Sequence, residues 1–242
     1  MNDVLHQLRE RKSVRAYLEK PIAPEDKQAI LEAACAAPTA GNQQLYTILD
    51  VTDQHLKDTL ADTCDHQPFI AQAPLVLIFC ADCQKWYDAF ASGGCSPRKP
   101  GPGDLLLACS DANIAAQNAV TAAWSLGIGS CYIGDILEQC ETHRALLNLP
   151  EYVVPAAMVV FGYPTAQQQA REKPRRRALS HIVHENGYRR MDAGELERML
   201  SDNAGQRPYA EWLQAFCTRK YNSDFSREMS RSMAEYLKPF LP

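Results

Sequence analysis

No run of about 18 uninterrupted apolar residues occurs anywhere in the 242-residue chain, so a membrane-spanning helix is not expected. Residues 1–11 lack the apolar core that follows the basic start of a secretory signal, which points to a cytoplasmic protein. Glycine (12) and proline (15) fall far below collagen-like or low-complexity levels. With 46% hydrophobic and 22% charged residues, disorder is excluded as well. Net charge is also scarce: 25 basic against 29 acidic side chains leave −4, which gives no global pull toward nucleic acid or anionic membrane. Any anion site must therefore be local.

Cysteine is not scarce, but what would make it structural is missing. The nine cysteines are an odd number scattered through a chain too long to need a disulfide framework, so reduced thiols are expected. Cys80 and Cys83 have no second Cys-x-x-Cys partner and follow an apolar run, which reads as two small buried hydrophobes. His181 and His184 lack the spacing of a zinc helix. No metal site is expected.

The residues present spell a mixed α+β chain of layered helices and strands, long enough for one large domain or two small ones. A short amphipathic helix carries Val4, Leu5 and Leu8, and a second opens at Pro24 with acids in its first turn and stops before Pro38. Residues 44–51 read as a strand, 54–64 as a helix, and 74–80 as a strand buried on both faces because no polar residue alternates in it. Residues 84–91 show no clear period, and 92–103 read as a loop. The longest element runs from an N-cap at Asp104 to Leu126, closed by Gly127. It is rich in alanine and small polar residues, and between its ends Asp111 is its only charge. Such a helix is buried in protein, centrally or at a subunit interface. Strands at 128–133 and 153–163 enclose a helix at 138–147, and helices at 195–200, 208–217 and 227–237 complete the chain.

Three local features suit a phosphate-bearing ligand. If residues 11–17 are extended, Arg11, Ser13 and Arg15 share one side and Lys12, Val14 and Ala16 the other, which sets two guanidinia around a hydroxyl. Arg171 to Arg177 holds five cations in seven positions, stiffened by Pro174, without the interleaved aromatics that base stacking needs. Pro38 to Gln44 is a turn rich in amide and hydroxyl donors. Each feature alone also reads as ordinary solvated surface.

Taken in order, they resemble a known family. Arg11-x-Ser13-x-Arg15, then Ala37-Pro-Thr-x-x-Asn42-x-Gln44, then an alanine-rich helix leading into Ser125-Leu-Gly-Ile-Gly-Ser-Cys-Tyr-Ile-Gly134, then Phe161-Gly-Tyr-Pro164 and Lys173-Pro-Arg175, resemble the nitroreductase family of FMN-dependent NAD(P)H oxidoreductases. Gln67-Pro-Phe-Ile-Ala-Gln-Ala-Pro74, Phe79-Cys-Ala-Asp82, Val183-His-Glu-Asn-Gly-Tyr188 and a helical C-terminal extension resemble its oxygen-insensitive NADPH nitroreductase and flavin reductase subgroup. The resemblance spans nearly the whole chain.

It implies a central sheet flanked by helices, in a homodimer whose subunits share the site, with residues 1–180 forming an FMN-binding core and 181–242 a helical extension packed on the core or partner. It further implies that Arg11, Ser13, Lys173 and Arg175 hold the FMN phosphate, with Lys12 adding charge, and that Arg15 lies near flavin N1 and O2. Gln67 reads the pyrimidine edge. Pro38, Thr39, Ala40 and Asn42 reach the flavin of the partner subunit, and Tyr132, Ile133, Gly134 and Asp135 turn backbone amides to N5 and O4. Arg219, beside Lys220, meets the NADPH 2′-phosphate or is a solvated helix end. The chain departs from the subgroup at Asp135, where glycine is common and where a carboxylate beside the ring disfavours anionic reduced flavin or alters substrate choice. It departs again at Arg11, where histidine is common.

The implied activity is hydride transfer from NADPH or NADH, by a ping-pong cycle, to nitroaromatics, quinones or flavins, in a pocket lined chiefly by residues 92–103 and the C-terminal arm. The cofactor performs the chemistry, so no catalytic side chain is required; no Ser-His-Asp or Cys-His signature is recognisable. A flavin store or sensor with little turnover, and a nucleic-acid module built on the basic run, are the alternatives.

Overall fold

The apolar run Leu75–Asp82 forms β2, and every residue in it is buried. In the computed structural model, which describes residues 2–242 and so leaves Met1 outside the described residues, β2 lies in a four-stranded antiparallel sheet. The other strands are β1 (Tyr46–Asp50), β3 (Gly129–Ile133) and β4 (Val153–Gly162), in the order β1-β2-β4-β3, so that β2 pairs with β1 and β4. The register shifts where Phe79 faces Ala157 and Cys80 faces Pro155. Proline has no N–H for the ladder, and a bulge is where a central strand tolerates it.

Helices cover both faces, which is why neither inner strand alternates. On one face α2 (Pro24–Cys35) and α6 (Pro102–Ser125) pack against Leu75, Leu77, Phe79, Val159 and Phe161. On the other, α3 (Gln54–Thr63), α4 (Pro68–Ala71) and a 3-10 turn at Asp135–Leu137 pack against Val76, Ile78, Met158 and Val160. A third cluster joins Leu45, Ala81, Leu105 and Tyr152 to Tyr236 and Phe240 near the C-terminus. Ala108, Ala112, Ala115, Ala116, Ala119 and Ala123 put the small-residue side of α6 fully inside, as its composition predicts. The other side of α6 exposes Leu106, Leu107 and Ile114.

Local departures from the sequence reading have local causes. Residues 84–92 form a helix, α5 (Gln84–Ser92), with no buried residue; its exposed Trp86 and Phe90, one turn apart, face a cleft rather than the core. Helix α6 starts three residues early: Gly101 is its N-cap, and Asp104 stands at the third helical position, accepting the Gly101 N–H at 2.7 Å. Gly127 closes α6 at φ +75°. The helix placed at 138–147 shortens to α7 (Cys140–Leu146), because Asp135–Leu137 turns as 3-10 and Gln139 adopts φ +49°. Ser232 Oγ caps it by accepting from the Cys140 N–H at 2.9 Å. The short helix α8 (Ala166–Ala170) follows β4.

The chain divides into two compact units, one running up to Arg171 and taking in Met229–Pro242, the other being Glu172–Glu228. The second unit contains α9 (Ala193–Leu200) and α10 (Tyr209–Lys220). Helix α9 begins with a reciprocal capping box between Asp192 and Glu195, and Arg189 clamps the Glu195 carboxylate at 2.7 and 2.8 Å. The last helix, α11 (Asp224–Leu237), carries Tyr236 on its final turn.

Candidate functional site

After the N-terminal helix α1 (Asp3–Glu10), the chain leaves extended and lies beside β3. The Val14 N–H donates to the Ser130 carbonyl at 2.9 Å, and the Leu18 N–H to Tyr163 at 2.8 Å. Two glycines admit this strap. A Cβ on Gly129 would stand 2.5 Å from Val14 Cγ2, and one on Gly162 would stand 2.6 Å from the Tyr17 ring. Val14 is completely buried, while Arg11, Ser13 and Arg15 come together beside Cys131.

Those three residues meet at Cys131 on β3. Burial pushes the Cys131 thiol up, while Arg15, Ser13 and Arg11 all draw it back down. Arg11 Nη1 is buried without a hydrogen-bond partner. Arg15 is exposed; its backbone N–H donates to Gln168 Oε1 at 3.1 Å, and its guanidinium carbon stands 5.9 Å from the centre of the Phe69 ring. Lys12 points elsewhere. Its ammonium donates to the carbonyls of Gln169 at 2.6 Å and Arg171 at 2.5 Å, closing the end of α8.

Gln67, just before α4, donates from Nε2 to the Cys64 carbonyl at 2.8 Å and to Asp135 Oδ2 at 2.9 Å. The turn carrying Asp135 is tied to the end of α3. His143 Nδ1 lies 3.1 Å from the Ile136 carbonyl and Nε2 2.9 Å from Thr63 Oγ1, and Gln139 donates to the Thr63 carbonyl at 2.8 Å. Gly134 is exposed, and a Cβ on it would meet nothing within 4 Å. Tyr132 is half-buried and Ile133 buried, both on β3 at the approach to this turn.

The segment from Pro38 to Gln44 makes a 3-10 turn at Ala40–Asn42, in which Gly41 and Asn42 both adopt φ +56°. Asp111 holds it: Oδ1 accepts the Ala40 N–H at 3.0 Å and Oδ2 the Leu45 N–H at 3.2 Å. Thr39 Oγ1 accepts the Gln44 N–H at 3.2 Å. Near this segment a cleft of about 310 Å³ is lined by Gln43, Trp86, Tyr87, Phe90, Pro97 and Pro100, among others; it includes part of the 92–103 loop.

Lys173 and Arg175 belong to the second unit, where Arg175 donates to Asp202 at 3.0 Å. Arg219, also there, is exposed on the last turn of α10 with its guanidinium 5.5 Å from the Phe216 ring centre. Among the described residues no cluster of three or more His, Cys, Asp or Glu side chains is placed to hold a metal ion, and no helix is long and apolar enough to cross a membrane. Sequence reasoning missed Cys131, Phe69, Gly129 and the task of Asp111. Of these only Asp111 carried a signal, as the lone charge inside a buried helix.

Residues 8–163 match the sequence profile of the nitroreductase family. The chain is 31% identical over 238 residues to the FMN reductase [NAD(P)H] of Bacillus subtilis, covering 98% of this chain and 91% of that one. It is 30% identical to the oxygen-insensitive NADPH nitroreductase of Salmonella typhimurium, covering 95% and 90%. Among solved structures, the NADPH:FMN oxidoreductase of Vibrio harveyi complexed with NAD+ superposes with a TM-score of 0.78 at 25% identity, covering 99% of both chains. NfrA2 of Bacillus megaterium superposes with a TM-score of 0.80 at 28% identity, covering 98% of both. By its sequence and by its fold, the chain belongs to the nitroreductase family.

Proposed function

We propose that this chain is an FMN-dependent reductase that transfers hydride from NAD(P)H to small oxidised acceptors such as nitroaromatics, quinones and flavins. The observation that carries the reading is the buried, unpartnered Nη1 of Arg11 beside Ser13 and Arg15. A buried guanidinium nitrogen without an acceptor costs free energy, and a phosphate oxygen supplies what it lacks. The open space over Gly134 and the available carbonyl of Gln67 also fit a flat ring with an amide-like edge.

When bound, FMN supplies the hydride chemistry. The protein's part is binding and electrostatics. Arg11 and Ser13 hold the phosphate, and Val14, locked over Gly129, keeps them from swinging away. Arg15 places a permanent positive charge where reduction leaves a negative one, while Phe69 limits its motion. Gln67 and the backbone at Tyr132 to Asp135 orient the ring. The NADPH role of Arg219, the phosphate roles of Lys173 and Arg175, and the reach of Pro38 to Asn42 to a partner subunit rest on the resemblance. Homodimerisation is supported by the exposed Leu106, Leu107 and Ile114 of α6 and the exposed Val4, Leu5 and Leu8 of α1, an apolar display that a lone subunit leaves in water. Nine free cysteines support a reducing, cytoplasmic setting.

The test is anaerobic mixing of the purified yellow protein with NADPH. Prompt bleaching, with the colour restored by a quinone, is the expected result. A flavin that stays oxidised, or a protein that takes up no FMN, overturns the reading.

A further inference from the structure

Both protons of the Gln67 amide nitrogen are committed. One goes to the Cys64 carbonyl at 2.8 Å and the other to Asp135 Oδ2 at 2.9 Å. Both partners are acceptors that carry no proton to give, so the amide can sit only one way round, with its nitrogen toward them. What remains of Gln67 for a ligand is the carbonyl Oε1, which accepts and cannot donate. Cys64 alone would leave the second N–H available, and the side chain would then offer a donor and an acceptor together. The aspartate removes that choice.

Resting on the flavin reading above, we propose that Asp135 is a positioning residue that converts Gln67 into an acceptor-only contact, selecting a ring N–H rather than a ring carbonyl at the ligand's edge. An isoalloxazine ring carries one such imide N–H between two carbonyls. A Gln67 with both groups available can satisfy itself on either a donor or an acceptor; with only Oε1 left, it demands the N–H. The consequence is discrimination. A ring whose imide nitrogen is methylated leaves Oε1 facing a methyl group, and a desolvated acceptor without a partner is expensive. A carboxylate at this distance also places negative charge beside the ring, a separate effect that substitution by asparagine removes while keeping an acceptor for Gln67.

The experiment compares binding of FMN and of FMN methylated at the imide nitrogen to the apoprotein, by quenching of flavin fluorescence, in the wild type, Asp135→Asn and Asp135→Ala. The expected wild-type preference for FMN is on the order of tenfold or more, corresponding to the loss of one buried hydrogen bond. Asp135→Ala is expected to reduce the preference about fivefold, because the released N–H of Gln67 can turn to a ring carbonyl. Asp135→Asn is expected to keep it, since its amide oxygen still accepts from Gln67. That split between the two variants is not one that a purely structural role produces. Circular dichroism of each variant checks its fold, and Asp135→Gly, which also lacks an acceptor, replaces the alanine variant if that one does not fold. A wild-type protein that binds FMN without discriminating, or an Asp135→Ala protein that keeps the full preference, overturns the role of Asp135 and leaves the flavin reading standing. A wild-type protein that takes up neither compound overturns the flavin reading and this inference with it.

Discussion

Asp111, buried in the middle of α6, accepts the backbone N–H of Ala40 at 3.0 Å across 71 residues of sequence. Its other oxygen takes the Leu45 N–H at 3.2 Å. The buried charge in the middle of α6 is therefore a clamp on the turn between α2 and β1, and its two carboxylate oxygens each take one of the two donors.

Asp111→Ala leaves two backbone donors unpaired, and the expected loss is about 2–4 kcal/mol of stability, read as a lower urea midpoint with unchanged slope. Asp111→Asn retains one acceptor and should fall between. If the alanine variant matches the wild type, the turn is held by other means.

Gly129→Ala drives a methyl group into Val14, 2.5 to 2.7 Å away. Because Val14 is fully buried in a packed core, the strap must move, and both stability and FMN retention should drop, the former by about 1–3 kcal/mol. Removing the obstacle, including the Val14 Cβ at 2.7 Å, in the double variant Gly129→Ala/Val14→Gly should restore part of the loss, so that the two changes are strongly non-additive in a double-mutant cycle. Simple additivity would show that the contact does not hold the strap.

Arg11→Met is expected to act with opposite signs on two properties. Removing a buried nitrogen that has no partner should raise apoprotein stability by about 1 kcal/mol, while FMN binding weakens roughly tenfold or more. Thermal melts and flavin titration read the two separately. Arg15→Ala should also weaken flavin retention and slow reduction by NADPH; unchanged kinetics would remove Arg15 from its proposed role.

Acid should loosen the turn that carries Asp135. Burial holds the His143 imidazole below its ordinary value of 6.5, so the folded protein keeps it neutral while the unfolded chain takes up a proton. Stability from this group is full above pH 6.5 and is lost as pH falls from there through the lowered folded value, with a slope of up to about 1.4 kcal/mol per pH unit. Urea midpoints measured from about pH 8 to 5 should fall more steeply for wild type than for His143→Gln. Parallel curves would show that His143 does not carry the effect.

The ordered motifs, the two-sided burial of β2 and the inward alanines of α6 were legible in the sequence. Each is a pattern among residues close together in the chain, and burial acts on such patterns with the period of the local backbone. Helix α5 was not read as a helix: Trp86 and Phe90, the apolar residues one turn apart in it, are exposed and line a cleft instead of the core.

The clustering of cations at residues 11–15 was readable, but their individual tasks were not. Lys12 stands between Arg11 and Ser13 in sequence, yet its ammonium belongs to the end of α8, 157 and 159 residues away. Gln67 and Asp135 are 68 positions apart, and nothing along the chain announces that one fixes the other. Sequence by itself determined most of the strands, helices and core, together with the family, since those follow from composition and order. Only the tertiary structure decided which donor meets which acceptor, because a hydrogen bond depends on a fraction of an ångström between atoms that the chain brings together from far apart.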